Sequence, residues 1–206
     1  KKSMVHSEVE IRPPLENDFA LTHLAKNEGV YKALFSKKEL SQIVDEALSL
    51  SYVAFDCETT GLDPLTDHLV GFSLSLKVGQ GFYIPLRGPS PDLGLEAELG
   101  IERSAYIKLE DAVFELARLF SSVSTLIILH NGKFDISVLR QAGVFAHNER
   151  NRPRCKIFDT MIASWILDPD WASFSLESLA RSQLGLETIS YADTVPKGKT
   201  FADVGL

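Results

Sequence analysis

Asp56 and Glu58 stand one residue apart inside the run Tyr52-Val53-Ala54-Phe55-Asp56-Cys57-Glu58, and a third acid, Asp135, follows a second apolar run, Leu126-Ile127-Ile128-Leu129. β-Branched and aromatic content makes the first run a strand, so Ala54, Asp56 and Glu58 share one face and Val53, Phe55 and Cys57 the other. Two steps along a strand place the two acids roughly 7 Å apart at Cα, close enough to share one bound cation or to hold two neighbouring ones. Carboxylates aimed from a folded sheet are costly unless something cationic neutralises them. Oxygen donors without His or Cys select hard ions, so Mg²⁺ or Mn²⁺ is the expected partner. The spacing alone is weak, because 28 acids in 206 residues produce about four acid-x-acid pairs by chance. The same spacing occurs at Glu8/Glu10, Glu16/Asp18, Glu96/Glu98 and Asp168/Asp170. Those pairs fall in linker, loop or turn, whereas Asp56 and Glu58 fall in a core strand.

The elements that must hold these acids alternate between sheet and helix patterns. Val30 to Phe35 reads as a strand, and Ser36-Lys37-Lys38-Glu39 as a capping box opening a helix with Leu40, Ile43, Val44, Ala47 and Leu48 on one stripe. Leu69 to Leu76 and Phe82 to Leu86 read as strands joined by Val78-Gly79-Gln80-Gly81, which makes the central strands an antiparallel meander. A Pro/Gly-rich loop from Gly88 to Gly100 precedes a helix with Leu109, Val113, Leu116, Ala117 and Phe120 on its apolar stripe. Leu126 to Leu129 is continuously apolar, the pattern of a strand buried on both faces, and leads through His130-Asn131-Gly132 into a helix ending at Gly143. Ligands of open α/β sheets gather at the carboxyl ends of such strands, where Asn131 and Asp135 fall. A polar loop with Arg150, Arg152, Arg154 and Lys156 follows, read as a solvated connection. Helices are then expected from Thr160 to Leu167, stopped by Pro169, and from Ser175 as N-cap to Gly185. The expected fold is α/β: a mixed sheet, meander first and parallel strands after, with helices on both faces.

Length and composition set outer bounds. A chain of 206 residues with 45% hydrophobic and 24% charged residues can build a single core without disulfide or metal staples. Residues 1–29, with Pro13 and Pro14 adjacent, read as a linker or extended arm, and 30–206 as the folded domain. Two cysteines without CxxC or Cys/His zinc spacing suit free thiols in a reducing compartment. No membrane span is expected, and no obligate protein partner. The net charge of -7 argues against a surface that traps nucleic acid passively but not against a nucleic-acid enzyme, whose cations meet phosphate on an acidic site.

Phe55-Asp56-Cys57-Glu58-Thr59-Thr60-Gly61-Leu62-Asp63-Pro64, then Leu69-Val70-Gly71-Phe72-Ser73 and Tyr83-Ile84-Pro85-Leu86, form an ordered series. It resembles the 3′-5′ proofreading exonuclease domain of bacterial DNA polymerase I-type (family A) polymerases. His130-Asn131-Gly132-Lys133-Phe134-Asp135 is similar to that family's second motif, Asn-x-x-x-Asp. Phe158-Asp159-Thr160-Met161, Ser175 to Ala180 and Lys197-Gly198-Lys199 continue the order, so the resemblance runs from about Tyr31 to Val204. It implies an RNase H-like (DnaQ-like exonuclease) fold and two-metal removal of mismatched nucleotides from a DNA 3′ end. Asp56 would bridge both metals, Glu58 would ligate the one that activates water, and Asp135 would serve the second. The cofactor implied is Mg²⁺ or Mn²⁺, with Zn²⁺ admitted at one position. Leu62 would wedge against the terminal bases, Asn131 would bind near the 3′ end, and Tyr191 would stack on a base. Each of these three also has an ordinary structural explanation: packing, helix capping and an amphipathic surface tyrosine, respectively. His68, His130 and Cys57 are expected to be structural. The partners implied are a single-stranded DNA 3′ end and a C-terminal polymerase domain in the parent chain, in a cytoplasmic setting at the bacterial nucleoid, serving replication and repair.

The family's third motif, Tyr-x-x-x-Asp, has no match: Cys155, Ser164, Ile166, Ile189 and Lys199 stand four residues before the later aspartates. The domain is therefore expected to be C-terminally truncated before that motif, with an incomplete site. Two alternatives remain at this stage. One is a catalytically silent scaffold for a polymerase; the other is a free-standing RNase D- or Werner-like exonuclease.

Overall fold

The computed structural model describes residues 29–86, 106–189, 191–199 and 203. The expected arm, apart from Gly29, and the Gly88 to Gly100 loop lie outside the described residues. Strands β1 (Val30–Ala33), β2 (Tyr52–Thr59), β3 (Leu69–Ser75), β4 (Gln80–Pro85), β5 (Leu126–Leu129) and β6 (Lys156–Asp159) form one sheet in the order β1-β4-β3-β2-β5-β6. β2, β3 and β4 are the antiparallel meander expected, while β1 adds parallel to β4, and β5 and β6 add parallel beyond β2. The helices are α1 (Lys37–Ser49), α2 (Leu109–Ser121), α3 (Gly132–Gln141), α4 (Thr160–Leu167), α5 (Leu176–Leu184) and the short α6 (Tyr191–Thr194).

Local chemistry explains the helix ends. Ser36 Oγ accepts from the Glu39 N–H at 3.2 Å while Glu39 accepts from the Ser36 hydroxyl at 2.8 Å, closing the capping box. α5 starts on Ser175, whose Oγ accepts from the Ser178 N–H at 3.2 Å, and stops at Gly185, whose φ of 64° is the left-handed cap that glycine supplies without strain.

The core lies on one face of the sheet. Val53, Phe55 and Cys57 of β2, with Phe72, Leu74, Ile84 and Ile127 from neighbouring strands, meet Leu40, Val44 and Ala47 of α1, Leu116 and Phe120 of α2, and Leu139 of α3. Phe55 is edge-on to Phe120 and stacked with Phe72, at centroid distances of 5.1 and 5.7 Å. Burying side chains of this size contributes roughly 1.5–3 kcal/mol each, so this face holds the fold together.

Some details differ from expectation: Lys156, expected in the solvated loop, opens the edge strand β6, which exists through its parallel pairing with the distant β5. In β5 only Ile127 and Leu129 are buried, because Ile128 faces a cleft on the opposite side of the sheet. In α2 the inward stripe is rotated toward Ala112, Leu116, Leu119 and Phe120, leaving Leu109 41% exposed and burying Glu115, whose charge is met by Arg118. The rotation follows from α1, which packs on α2 and pairs Lys37 with Asp111 and Asp45 with Arg118.

Candidate active site

On the sheet face away from the core, residues of β1, β2, β3, β4 and β5 floor a cleft of about 680 Å³, bordered by Thr160 and Leu176, the first residues of α4 and α5. Asp56 opens into this cleft. Its register partner is Ser73, which in turn pairs with Tyr83. Glu58 is opposite Gly71, and the β2–β3 register shifts between Glu58 and Thr59. An irregularity of that kind ends pairing and re-aims side chains at a sheet rim.

Asp135 is one turn into α3 rather than at the strand end, and is only 2% exposed. Its Oδ1 accepts from the Cys57 N–H at 3.0 Å. That amide lies between Asp56 and Glu58 in the chain, so the bond pins the second motif against the first. The register follows from β5 pairing parallel with β2 over Val53↔Ile127 and Ala54↔Ile128, which delivers the start of α3 beside the end of β2. Cys57 points into the core, as expected of a packing residue, and burial beside Asp135 and Asp56 pushes its thiol well above the usual range.

The three acids feel one another. Burial, then the charges of Asp56 and Asp135, push the Glu58 carboxyl up to about 7. Burial and the Asp56 charge push Asp135 to about 7 as well, against the bond from Cys57. Asp56 has one face open to solvent and protein atoms around the rest; burial raises it, opposed by His130 and the Cys57 amide. The ion pairs of the described residues use Lys32, Lys37, Arg118 and Arg181, none of them at these acids. Among the described residues no three His, Cys, Asp or Glu side chains are closed into a group that could hold a metal ion. The arrangement is thus a coupled trio of acids around one strand end. Its oxygen-only donors and uncompensated charge suit a hard cation, while its geometry is open.

The other expected site residues separate by position. Leu62 is 92% exposed at the tip of the turn after β2, so it is not a core leucine. The turn beneath it is fastened: Asp67 accepts from the Thr60 hydroxyl at 3.0 Å and the Asp63 N–H at 2.8 Å, and Gln141 of α3 donates to the Leu65 carbonyl at 3.3 Å. Asn131 is exposed, sits in the left-handed region at φ 63°, and makes no side-chain cap bond, so the capping explanation fails and its amide faces outward. Tyr191 opens α6, and its side chain lies outside the described residues.

Two residues organise the site beyond what their types suggested. Asp159 accepts from the N–H groups of Asn131 and Gly132 at the start of α3 and of Met161 and Ile162 at the start of α4, at 2.8 to 3.3 Å. One carboxylate therefore serves two helix N-termini, and strand-then-Asp-Thr was the signal that could have found it. His130 is structural, as expected: Nδ1 meets Thr160 Oγ1 at 2.8 Å and Nε2 meets the Phe174 carbonyl at 3.0 Å, tying β5 to α4 and to the segment before α5.

Comparison with known proteins gives the chain's family and fold. The sequence profile of a family described as DNA polymerase A 3′-5′ exonuclease matches residues 31–203. DNA polymerase I of Treponema pallidum is 36% identical over 203 residues, covering 88% of this chain and 20% of that protein. DNA polymerase I of Borreliella burgdorferi is 30% identical over 176 residues, covering 85% of this chain and 17% of that protein. The chain therefore spans about a fifth of the length of these curated relatives. Among solved structures, the Aedes aegypti Nibbler EXO domain superposes with a TM-score of 0.56 at 15% identity, over 79% of this chain and 72% of that one, a likeness of fold. No helix among the described residues is long and apolar enough to cross a membrane.

Proposed function

The chain belongs to the DNA polymerase A 3′-5′ exonuclease family, and from that membership we propose that it removes nucleotides from the 3′ end of single-stranded DNA, as the proofreading part of a longer polymerase. The observation that carries this reading is the Asp135–Cys57 bond, which holds a buried carboxylate on the amide that lies between Asp56 and Glu58, while among the described residues no ion pair reaches any of the three acids.

Asp56, Glu58 and Asp135 would hold divalent cations, two Mg²⁺ or Mn²⁺, with Zn²⁺ admitted at one position. When bound, such cations lower the pKa of an attacking water, neutralise the scissile phosphate and stabilise the leaving 3′ oxygen. The protein's share is placement. Asp56 reaches the cleft from the strand, Glu58 stands at the register shift that ends the β2–β3 pairing, and Asp135 is fixed by the Cys57 amide. Leu62, exposed on a fastened turn, would press between the terminal bases, and Asn131, with its side chain free of capping, would bind near the 3′ end. Tyr191 would stack on a base; stacking suits a sequence-blind enzyme because every base has a π face.

The test uses the parent polymerase with Mg²⁺ or Mn²⁺ and a 3′-labelled single strand. Digestion from the 3′ end that stops in Asp56→Ala is the expected result. Unchanged digestion by that variant would refute the assignment of Asp56, and no digestion by the unaltered protein would favour the silent scaffold.

A further inference from the structure

Residues 142–155, between α3 and β6, carry a feature that catalysis does not use. Because β5 and β6 run parallel, this loop lies at the end of the sheet opposite Asn131 and Asp159, roughly 13 Å away by the rise of a four-residue strand. Arg150, Arg152 and Arg154 are exposed on it and, with Asn148, line a polar hollow of about 710 Å³ whose only acidic lining residue is Glu149. Lys156 continues the run at the start of β6. None of these four cations enters an ion pair among the described residues, whereas Arg118 pairs with Asp45 and Glu115, and Arg181 with Glu177 and Glu187.

The loop is not a loose basic tail. Asn148 accepts from the Arg150 N–H at 3.1 Å and donates to the Arg152 carbonyl at 2.6 Å; the Asn151 N–H reaches the Asn148 carbonyl at 2.8 Å. Arg140 Nε donates to the Asn151 carbonyl at 3.0 Å, and the Arg154 and Cys155 N–H groups donate to the Phe120 carbonyl of α2. Asn151 takes the left-handed φ of 44° that the turn requires. Val144 and Phe145 anchor the start of the loop in the core. Every bond that shapes the loop between Asn148 and Cys155 uses backbone, Asn148 or Arg140, so the guanidiniums of Arg150, Arg152 and Arg154 are left to solvent on a fixed frame.

We propose that this loop is a phosphate-backbone contact for DNA outside the catalytic cleft, gripping the body of the strand or duplex whose 3′ end is processed elsewhere. The inference rests on the exonuclease reading for its choice of DNA. Guanidinium forks match phosphate geometry, and three of them fixed on one hollow form a local positive field on a chain whose net charge is -7. Such a surface raises affinity without reading sequence.

The test measures binding of a labelled single-stranded oligonucleotide by fluorescence anisotropy, in EDTA so that no strand is cut, for the 206-residue chain and for R150Q/R152Q/R154Q. If three phosphates are contacted, the unaltered chain loses about 20-fold more affinity than the variant between about 50 and 200 mM salt, from a slope of about -0.7 per phosphate. Lys77→Gln, away from the loop, should keep the unaltered slope. Equal slopes for the triple variant and the unaltered chain would overturn the proposal. So would capture of a polyglutamate peptide in preference to DNA, which would assign the loop to an acidic protein segment. The outcome is separable from the Asp56→Ala digestion test, since EDTA binding does not require catalysis.

Discussion

Replacing Asp135 by Asn should make the protein more stable in the absence of divalent cations, by an amount that depends on pH. The group's pKa is raised from 3.8 to about 7 in the folded state by burial and the Asp56 charge. A raised folded-state value means that the stability the group contributes is present below about pH 4 and is lost as pH rises toward about 7. Three pH units at about 1.4 kcal/mol each set a ceiling of roughly 4 kcal/mol, and Asp135 is buried enough that solvent does little to reduce it. Asn keeps an oxygen for the Cys57 N–H and removes the charge, so its gain over Asp should grow by roughly 2–3 kcal/mol between about pH 5 and 8. Relief of Glu58, also raised to about 7 and in part by Asp135, acts in the same direction. Urea denaturation of both proteins in EDTA at the two pH values measures the difference. Repeating it with millimolar MgCl₂ should stabilise the native protein and narrow the gap, because ligands that bind only the folded state add stability. A difference independent of pH, or an Asn variant weaker at pH 8, would refute the reasoning and make Asp135 an ordinary buried hydrogen-bond acceptor.

Asp159→Ala removes the acceptor of four N–H groups at two helix starts, and should cost about 2–3 kcal/mol, twice a single cap, with Asp159→Asn recovering part, as urea denaturation would show. Gly71→Ala should cost about 1–3 kcal/mol by overpacking, since a methyl there falls on the Tyr83 hydroxyl and 3.0 Å from the Ile84 carbonyl; a thermal melt should show partial recovery when Tyr83→Ala is added.

Much of the frame was legible because its signals are local. Alternation in Tyr52 to Thr59 separated the acid face from the core face without reference to any neighbour, since side chains of a strand point to opposite sides. The capping box at Ser36 and the Ser175 and Gly185 boundaries are contacts across three or four residues, and short-range chemistry specifies them. The α2 stripe differs from the expected one by a rotation because Glu115 is buried against Arg118, a pairing that a pattern of apolar residues does not contain.

By itself, then, the chain of residues determined the two faces of β2, the order of strand, turn and helix around Asn131, and which acids stand in core elements. Only the tertiary structure decided that Asp135 meets the Cys57 amide across 78 positions, that β5 has one face open to a cleft, and that Asp159 serves two helices. Those facts depend on which strands lie side by side. Register between distant segments is set by how the whole sheet packs, and neighbours in sequence carry no record of it.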